Sequence, residues 1–155
     1  MSQCESMKGK TLVISGATRG IGKAILYRFA QAGADIAFTY NSNAEEAEKI
    51  ARDVTQTYGV RAIPYQLNIL EPESYRDLFR LIDEDFPRVD YFISNAIISG
   101  RSVVGGFGPF MRLKPKGLAN IYTATVTAFV IGAQEAAKRM EKVGGGSIIS
   151  LSSTG

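Results

Sequence analysis

Five short runs of β-branched and apolar residues, separated by stretches whose apolar positions recur at helical spacing, limit this chain to one class of fold. The runs are Thr11 to Ser15, Asp35 to Tyr40, Ala62 to Asn68, Val89 to Ser94 and Ser147 to Ser152. The first four begin 24, 27 and 27 residues apart, enough for a strand, a crossover helix and the turns between them. That period predicts right-handed βαβ units in a parallel sheet with helices on both faces. The expectation is a single α/β doubly wound domain over residues 11–155 behind a polar tail at 1–10, with no second domain, no low-complexity tract and no repeat beyond the βαβ period.

Between the runs, each helix announces its inner face. Ile21, Ala24, Ile25, Phe29 and Ala32 predict the first stripe, closed by Gly33. Asn43 offers a cap to a second helix with Ala44, Ala47, Ile50, Ala51, Val54 and Tyr58 on one side and Gly59 after it. Pro72 is expected to open a third, with Tyr75, Leu78, Phe79, Ile82 and Phe86 as its core stripe. Pro64, which has no N–H to donate, is a slight objection to the pairing of the third strand. A glycine-rich loop is expected from Ile97 to Gly108, followed by a long apolar helix from Leu118 to Val143 that Gly144, Gly145 and Gly146 terminate.

Composition then closes several chemistries. The 155 residues include no His and one Cys, so a Ser-His-Asp triad, an imidazole shuttle and a His-ligated metal are excluded, and Tyr, Lys, Asp and Glu remain for acid/base work. No metal site is expected. Cys4 lies in the polar tail and reads as a surface thiol. Eighteen Lys and Arg against fifteen Asp and Glu leave a charge of +3 spread along the chain, which argues against a nucleic-acid partner. The first ten residues lack the apolar core of a leader, and the stretch Ile121 to Ala133 is broken by Thr123, Thr125 and Thr127. It is well short of the ~20 residues that cross a bilayer, so a cytoplasmic protein without a membrane partner is expected.

The turn after the first run carries the most chemistry. Ser15-Gly16-Ala17-Thr18-Arg19-Gly20-Ile21-Gly22 puts three glycines where a strand ends and a helix begins. Such a turn lets backbone approach a pyrophosphate while the helix N-terminus attracts its charge. A Walker A loop does not fit, because Gly16 to Gly22 is one residue too long before Lys23 and Ala24 stands where Ser or Thr would hold magnesium. In an NAD site an acidic residue at the end of the second strand receives the ribose hydroxyls. Asp35 stands at the start of that run, and its far end reads Thr39-Tyr40-Asn41-Ser42. Arg19 offers a planar donor fork to a 2′-phosphate; the plainer alternative is a solvated turn residue. Together these residues favour NADPH.

The spacing Gly16-x-x-x-Gly20-x-Gly22, Asn68 after the third run, Asn95-Ala96 after the fourth and SIISLSS in the fifth resemble the short-chain dehydrogenase/reductase family, over Thr11 to Gly155. Within it, FISNAI, GAQEAAKRMEK and GGGSIISLSSTG look most like a bacterial NADPH-dependent enoyl-acyl-carrier-protein reductase. The resemblance implies a Rossmann-like sheet and a cofactor held by Gly16, Thr18, Arg19, Gly20, Ile21, Gly22, Asn41, Ser42, Asn68, Ile69, Asn95 and Ala96. Asn68 and Ile69 would border the adenine, Asn95 and Ala96 the nicotinamide side, and Ser153 would be the active-site serine, a donor to the substrate carbonyl. The implied reaction is hydride delivery to the β-carbon of a trans-2-enoyl thioester, with acyl carrier protein as a partner and a homo-oligomer built on the long helix.

The departures from the family pattern have consequences of their own. Ile97 follows Asn95-Ala96 where the family has Gly, and the family's helix asparagine falls on Thr123, with Asn120 one turn earlier. The family's acid Tyr and anchoring Lys belong to a helix after Gly155, so the expectation is a truncated, inactive cofactor-binding portion. Two other readings stand beside the enoyl reductase: a 3-oxoacyl or other carbonyl reductase, and a non-catalytic NADP-binding fragment. Arg101, Arg112, Lys114 and Lys116 beside Phe107, Pro109, Phe110 and Met111 suggest a basic, apolar docking surface for an acidic carrier, or simply a solvated loop.

Overall fold

The fold is that of a computed structural model, which describes residues 6–98 and 103–152. Strands β1 (Thr11–Ile14), β2 (Asp35–Tyr40), β3 (Ala62–Gln66), β4 (Tyr91–Ser94) and β5 (Ser147–Ser150) form one parallel sheet in the order β3-β2-β1-β4-β5. The expected strands are all present: β2 has the expected bounds, β1, β3 and β5 end one or two residues early, and β4 begins at Tyr91 instead of Val89. β3 lies at the sheet edge, with Pro64 opposite Phe38. A missing N–H is tolerated at an edge, which removes the objection that Pro64 raised.

Side chains alternate across the sheet and build two cores. Leu12, Ile14, Ile36 and Phe38 meet α1 (Gly20–Gln31) and α2 (Ala44–Tyr58) on one face. On the other, Val13, Ala37 and Phe92 meet α3 (Ser74–Asp85) and α5 (Ala128–Lys142). Each fully buried Leu, Ile or Phe contributes about 1.5–3 kcal/mol. Asn43 caps α2 by accepting from the Glu46 N–H at 3.1 Å, and Gly59 closes it in the left-handed conformation.

Three helical expectations need correction. The buried stripe of α1 is Gly22, Leu26 and Ala30, not the row through Ile21 and Ala24, because the start of the helix packs Gly22 against the glycine turn and the Asn95 side chain and so turns Ile21 toward the cleft. Helix α3 starts at Ser74, not Pro72: the Ser74 and Tyr75 N–H groups reach back only three residues, to Glu71 and Pro72 carbonyls at 2.8 and 3.1 Å, in a tight lead-in turn. The long helix starts early, at Pro115, and is not uniform. Between α4 (Pro115–Tyr122) and α5 runs a π-helical segment, Thr123–Thr127. There the Ala128 N–H bonds the Thr123 carbonyl five residues back, while the Thr125 hydroxyl donates to the Ile121 carbonyl at 2.6 Å. Hydroxyls competing for helix carbonyls favour such a widened turn. Leu118, Tyr122, Val126 and Val130 form an exposed row along this helix, whereas Ile131 is buried and Phe129 and Ala133 pack against the core.

Two buried carboxylates pin the elements together. Asp90 accepts from the Thr11 N–H at 3.0 Å and pairs with Arg88 and Lys10. Glu135 on α5 pairs with Lys138 and Arg139, and Arg139 continues to Asp83 and lies over the Phe79 ring.

Candidate functional site

At the carboxyl ends of β1 and β4 the chain leaves the sheet toward opposite faces, which opens a crevice of the kind that holds ligands in open α/β sheets. Its floor is built on Ser15, which is almost wholly buried. The Ser15 hydroxyl accepts from the Asn95 and Ala96 N–H groups, both at 3.1 Å, and is hydrogen-bonded to the Tyr75 hydroxyl. Burial pushes the Tyr75 phenol up to about 12, with the Ser15 contact opposing the shift.

The glycine turn is fixed from both sides. Gly16 adopts φ +69°, and a Cβ there would lie 2.8 Å from the Ala96 Cα. Its N–H donates to the Thr39 hydroxyl at 3.1 Å and the Ala17 N–H to the Thr39 carbonyl at 3.2 Å, so the end of β2 holds one flank. The Asn95 carboxamide holds the other, donating to the Gly16 and Ser15 carbonyls at 2.8 and 3.2 Å. Gly22 must remain bare, since its Cβ would collide with the Asn95 amide and stand 2.5 Å from the Gly16 carbonyl. Gly20, by contrast, has φ +55° and open space where a Cβ would be. The first turn of α1 contains no acid to compete with an anion.

A cleft of about 920 Å³ extends from this turn along the strand ends. All twelve residues expected to hold the cofactor line it: Gly16, Thr18, Arg19, Gly20, Ile21, Gly22, Asn41, Ser42, Asn68, Ile69, Asn95 and Ala96. Asn68 is held by its own turn, its carboxamide accepting from the Leu70 N–H at 3.1 Å and donating to Glu71 at 3.0 Å. Asp35 stands at the opposite end of β2, where it accepts from the Arg61 N–H at 2.8 Å. Sequence reasoning missed Tyr40, Asn43, Glu46, Leu67, Leu70 and Ile98 as lining residues, and missed the supporting roles of Ser15, Thr39 and Tyr75. The signal for Thr39 was a hydroxyl next to the end of a buried strand. Nothing in the sequence paired it with Gly16.

The rest of the expected site divides in two. Ser153, Cys4 and Arg101 lie outside the described residues. Thr123, expected in place of the family's helix asparagine, opens the π-helical segment. Phe107, Phe110 and Met111 are exposed beside Arg112, Lys114 and Lys116. Among the described residues no group of three or more Cys, Asp or Glu is arranged to hold a metal ion, and no helix is long and apolar enough to cross a membrane.

The comparisons with known proteins converge on one family. The sequence profile described as short chain dehydrogenase matches residues 10–155. A sorbose reductase of Candida albicans is 41% identical over 91 residues, which is 59% of this chain and 32% of that protein. The 1-cyclohexenylcarbonyl-CoA reductase of Streptomyces collinus is 33% identical over 143 residues, covering 92% of this chain and 48% of the relative. Among solved structures, the L-sorbose reductase of Gluconobacter frateurii, complexed with NADPH and L-sorbose, superposes with a TM-score of 0.86 at 26% identity over 96% of this chain and 54% of that one. The chain thus spans a third to about half of the length of the relatives it matches. With its parallel five-stranded sheet, its glycine turn and a profile match from residue 10 to residue 155, the chain belongs to the short chain dehydrogenase family.

Proposed function

We propose that the cleft holds NADPH and that the protein is an NADPH-dependent reductase acting on an enoyl thioester. The observation that carries the cofactor assignment is the charge at the cleft: among the described residues that line it Arg19 is the one cation, and the end of β2 contributes Tyr40, Asn41 and Ser42 without a carboxylate. The cavity has the size of a ligand site, and the open space at Gly20 beside the acid-free start of α1 suits a pyrophosphate. Gly16, Thr18, Gly20, Ile21 and Gly22 would hold that group, Arg19 with Asn41 and Ser42 the 2′-phosphate end, Asn68 and Ile69 the adenine, and Asn95 and Ala96 the nicotinamide side. When bound, NADPH supplies a hydride. The chain's own part is to orient: Asn95 and Ser15 keep the turn and the end of β4 rigid, and Ile97 and Ile98 give that end of the cleft an apolar wall. Ser153 is the proposed hydrogen-bond donor to the substrate carbonyl.

The enoyl thioester is supported by the Streptomyces collinus relative, whose named substrate is a conjugated thioester. A second reading, reduction of a ketone, is supported by the two sorbose reductases. Acyl carrier protein is the proposed carrier, and assembly of copies through the exposed row Leu118, Tyr122, Val126 and Val130 the proposed quaternary contact. Isothermal titration with NADPH and NADH tests the cofactor: tighter NADPH binding is expected, and equal affinities would overturn the role of Arg19. Loss of NADPH absorbance with a crotonyl thioester, an acetoacetyl thioester or L-sorbose then discriminates the substrates, and turnover confined to the ketones would replace the first reading by the second.

A further inference from the structure

Among the described residues that line the cleft, Glu46 is the one acid. It sits in the first turn of α2, its N–H capped by Asn43, which lines the cleft beside Asn41 and Ser42. A carboxylate there suits ribose hydroxyls and opposes a 2′-phosphate. Its charge is met, however, by Lys23 in the first turn of α1, whose ammonium donates to the Glu46 carboxylate at 3.0 Å. The Lys23 N–H bonds the Arg19 carbonyl, so the pair bridges the helical turn that carries Arg19 to the one that carries Asn43. Both side chains are about one-third exposed, at 37% and 34%, so the pair is a poor candidate for a stability device.

Resting on the cofactor reading above, we propose that the Lys23–Glu46 ion pair sets the coenzyme preference of this cleft, Lys23 acting as a positioning residue that cancels the one carboxylate facing a 2′-phosphate. Without Lys23, Glu46 loses the one cation that is hydrogen-bonded to it and keeps only the weaker influence of Lys49 on its own helix, so its charge offsets that of Arg19 among the residues that line the cleft. With Lys23 in place, Arg19 acts uncompensated.

The test is a double-mutant cycle of Lys23→Met, Glu46→Gln and the pair, with NADPH and NADH dissociation constants measured by titration and folding checked by circular dichroism. Lys23→Met is expected to weaken NADPH about tenfold, the Coulomb cost of one exposed negative charge beside a phosphate, and to leave NADH unchanged or tighter. Adding Glu46→Gln is expected to restore NADPH binding to within about twofold. A loss that Glu46→Gln does not rescue means that Lys23 acts on the phosphate directly and overturns the proposal, as does an equal loss for both dinucleotides. If the unsubstituted protein binds neither dinucleotide, the cofactor reading falls and this one with it; normal NADPH preference with an inert Lys23→Met overturns this inference alone.

Discussion

The carboxamide of Asn95 reaches across from the end of β4 to the carbonyls of Gly16 and Ser15, at 2.8 and 3.2 Å, and so ties the glycine turn to a residue 79 positions away. Two neighbouring strand ends are held by one side chain, and the glycine conformation depends on it.

Asn95→Ala is therefore expected to lower stability by about 1–3 kcal/mol, since two carbonyls lose their partner in a partly buried site. NADPH affinity is expected to fall further than stability accounts for. Urea unfolding with and without NADPH measures both effects, and a variant with native stability and native affinity would contradict the tie.

Gly22→Ala and Gly20→Ala separate crowding from backbone strain. At Gly22 the added methyl meets the Asn95 amide and the Gly16 carbonyl, so a loss of about 1–3 kcal/mol is expected from overpacking. At Gly20 there is room for the methyl but φ is +55°, and about 1–2 kcal/mol is expected from the left-handed conformation alone. Thermal unfolding reads the two costs. Only Gly22→Ala is expected to disturb the Asn95 side-chain amide resonance.

Arg19→Gln is expected to weaken NADPH by about tenfold to a hundredfold, the loss of a charge-assisted hydrogen bond. NADH is expected to change by less than about threefold, because no 2′-phosphate is present to feel the charge. Competition titrations at one ionic strength measure the ratio.

Asp90 predicts a pH dependence. Burial alone would raise its carboxyl, but Arg88, the Thr11 N–H and Lys10 together hold it below the ordinary value. Because the folded value is the lower one, the contribution is present above the unfolded value near 3.9 and is lost as pH falls through the folded value. Stability is expected to be flat in this respect above pH ~5 and to decline below pH ~4. Asp90→Asn is expected to cost about 1–3 kcal/mol at neutral pH and to flatten the acid limb; an unchanged limb in urea titrations from pH 3 to 7 would remove Asp90 from the account.

The sheet, its order of elements and the glycine turn were legible because they rest on local signals: β-branched runs of four to six residues, a cap at Asn43, and glycines at a fixed spacing. What was not legible rests on contacts between distant residues. The stripe of α1 was misread because Ile21 is apolar yet faces the cleft, while the buried position beside it belongs to a glycine, which periodicity does not score. The π-helical segment was hidden because Thr125 is read as an interruption of an apolar stretch, and only its bond to the Ile121 carbonyl gives it a structural part. Ser15 and Thr39 were read as strand residues. Their hydroxyls organise the turn only once β4 and β2 lie beside β1.

The place of β1 between β2 and β4 has a consequence for the order of assembly. Strands β1 to β3 and their helices lie within the first 66 residues and pair with near neighbours in sequence. The second wall of the cleft waits for β4, whose Asn95 N–H meets Ser15 across 80 positions. Closing so long a loop is the slow kind of contact, so a chain emerging from the ribosome is expected to pair its first three strands early and to fix its glycine turn and its cleft late. Until Asn95 arrives, the Gly16 and Ser15 carbonyls lack the carboxamide that holds them, and the cleft lacks one wall. Ligand affinity in this chain is thereby expected to report whether β1 and β4 have met.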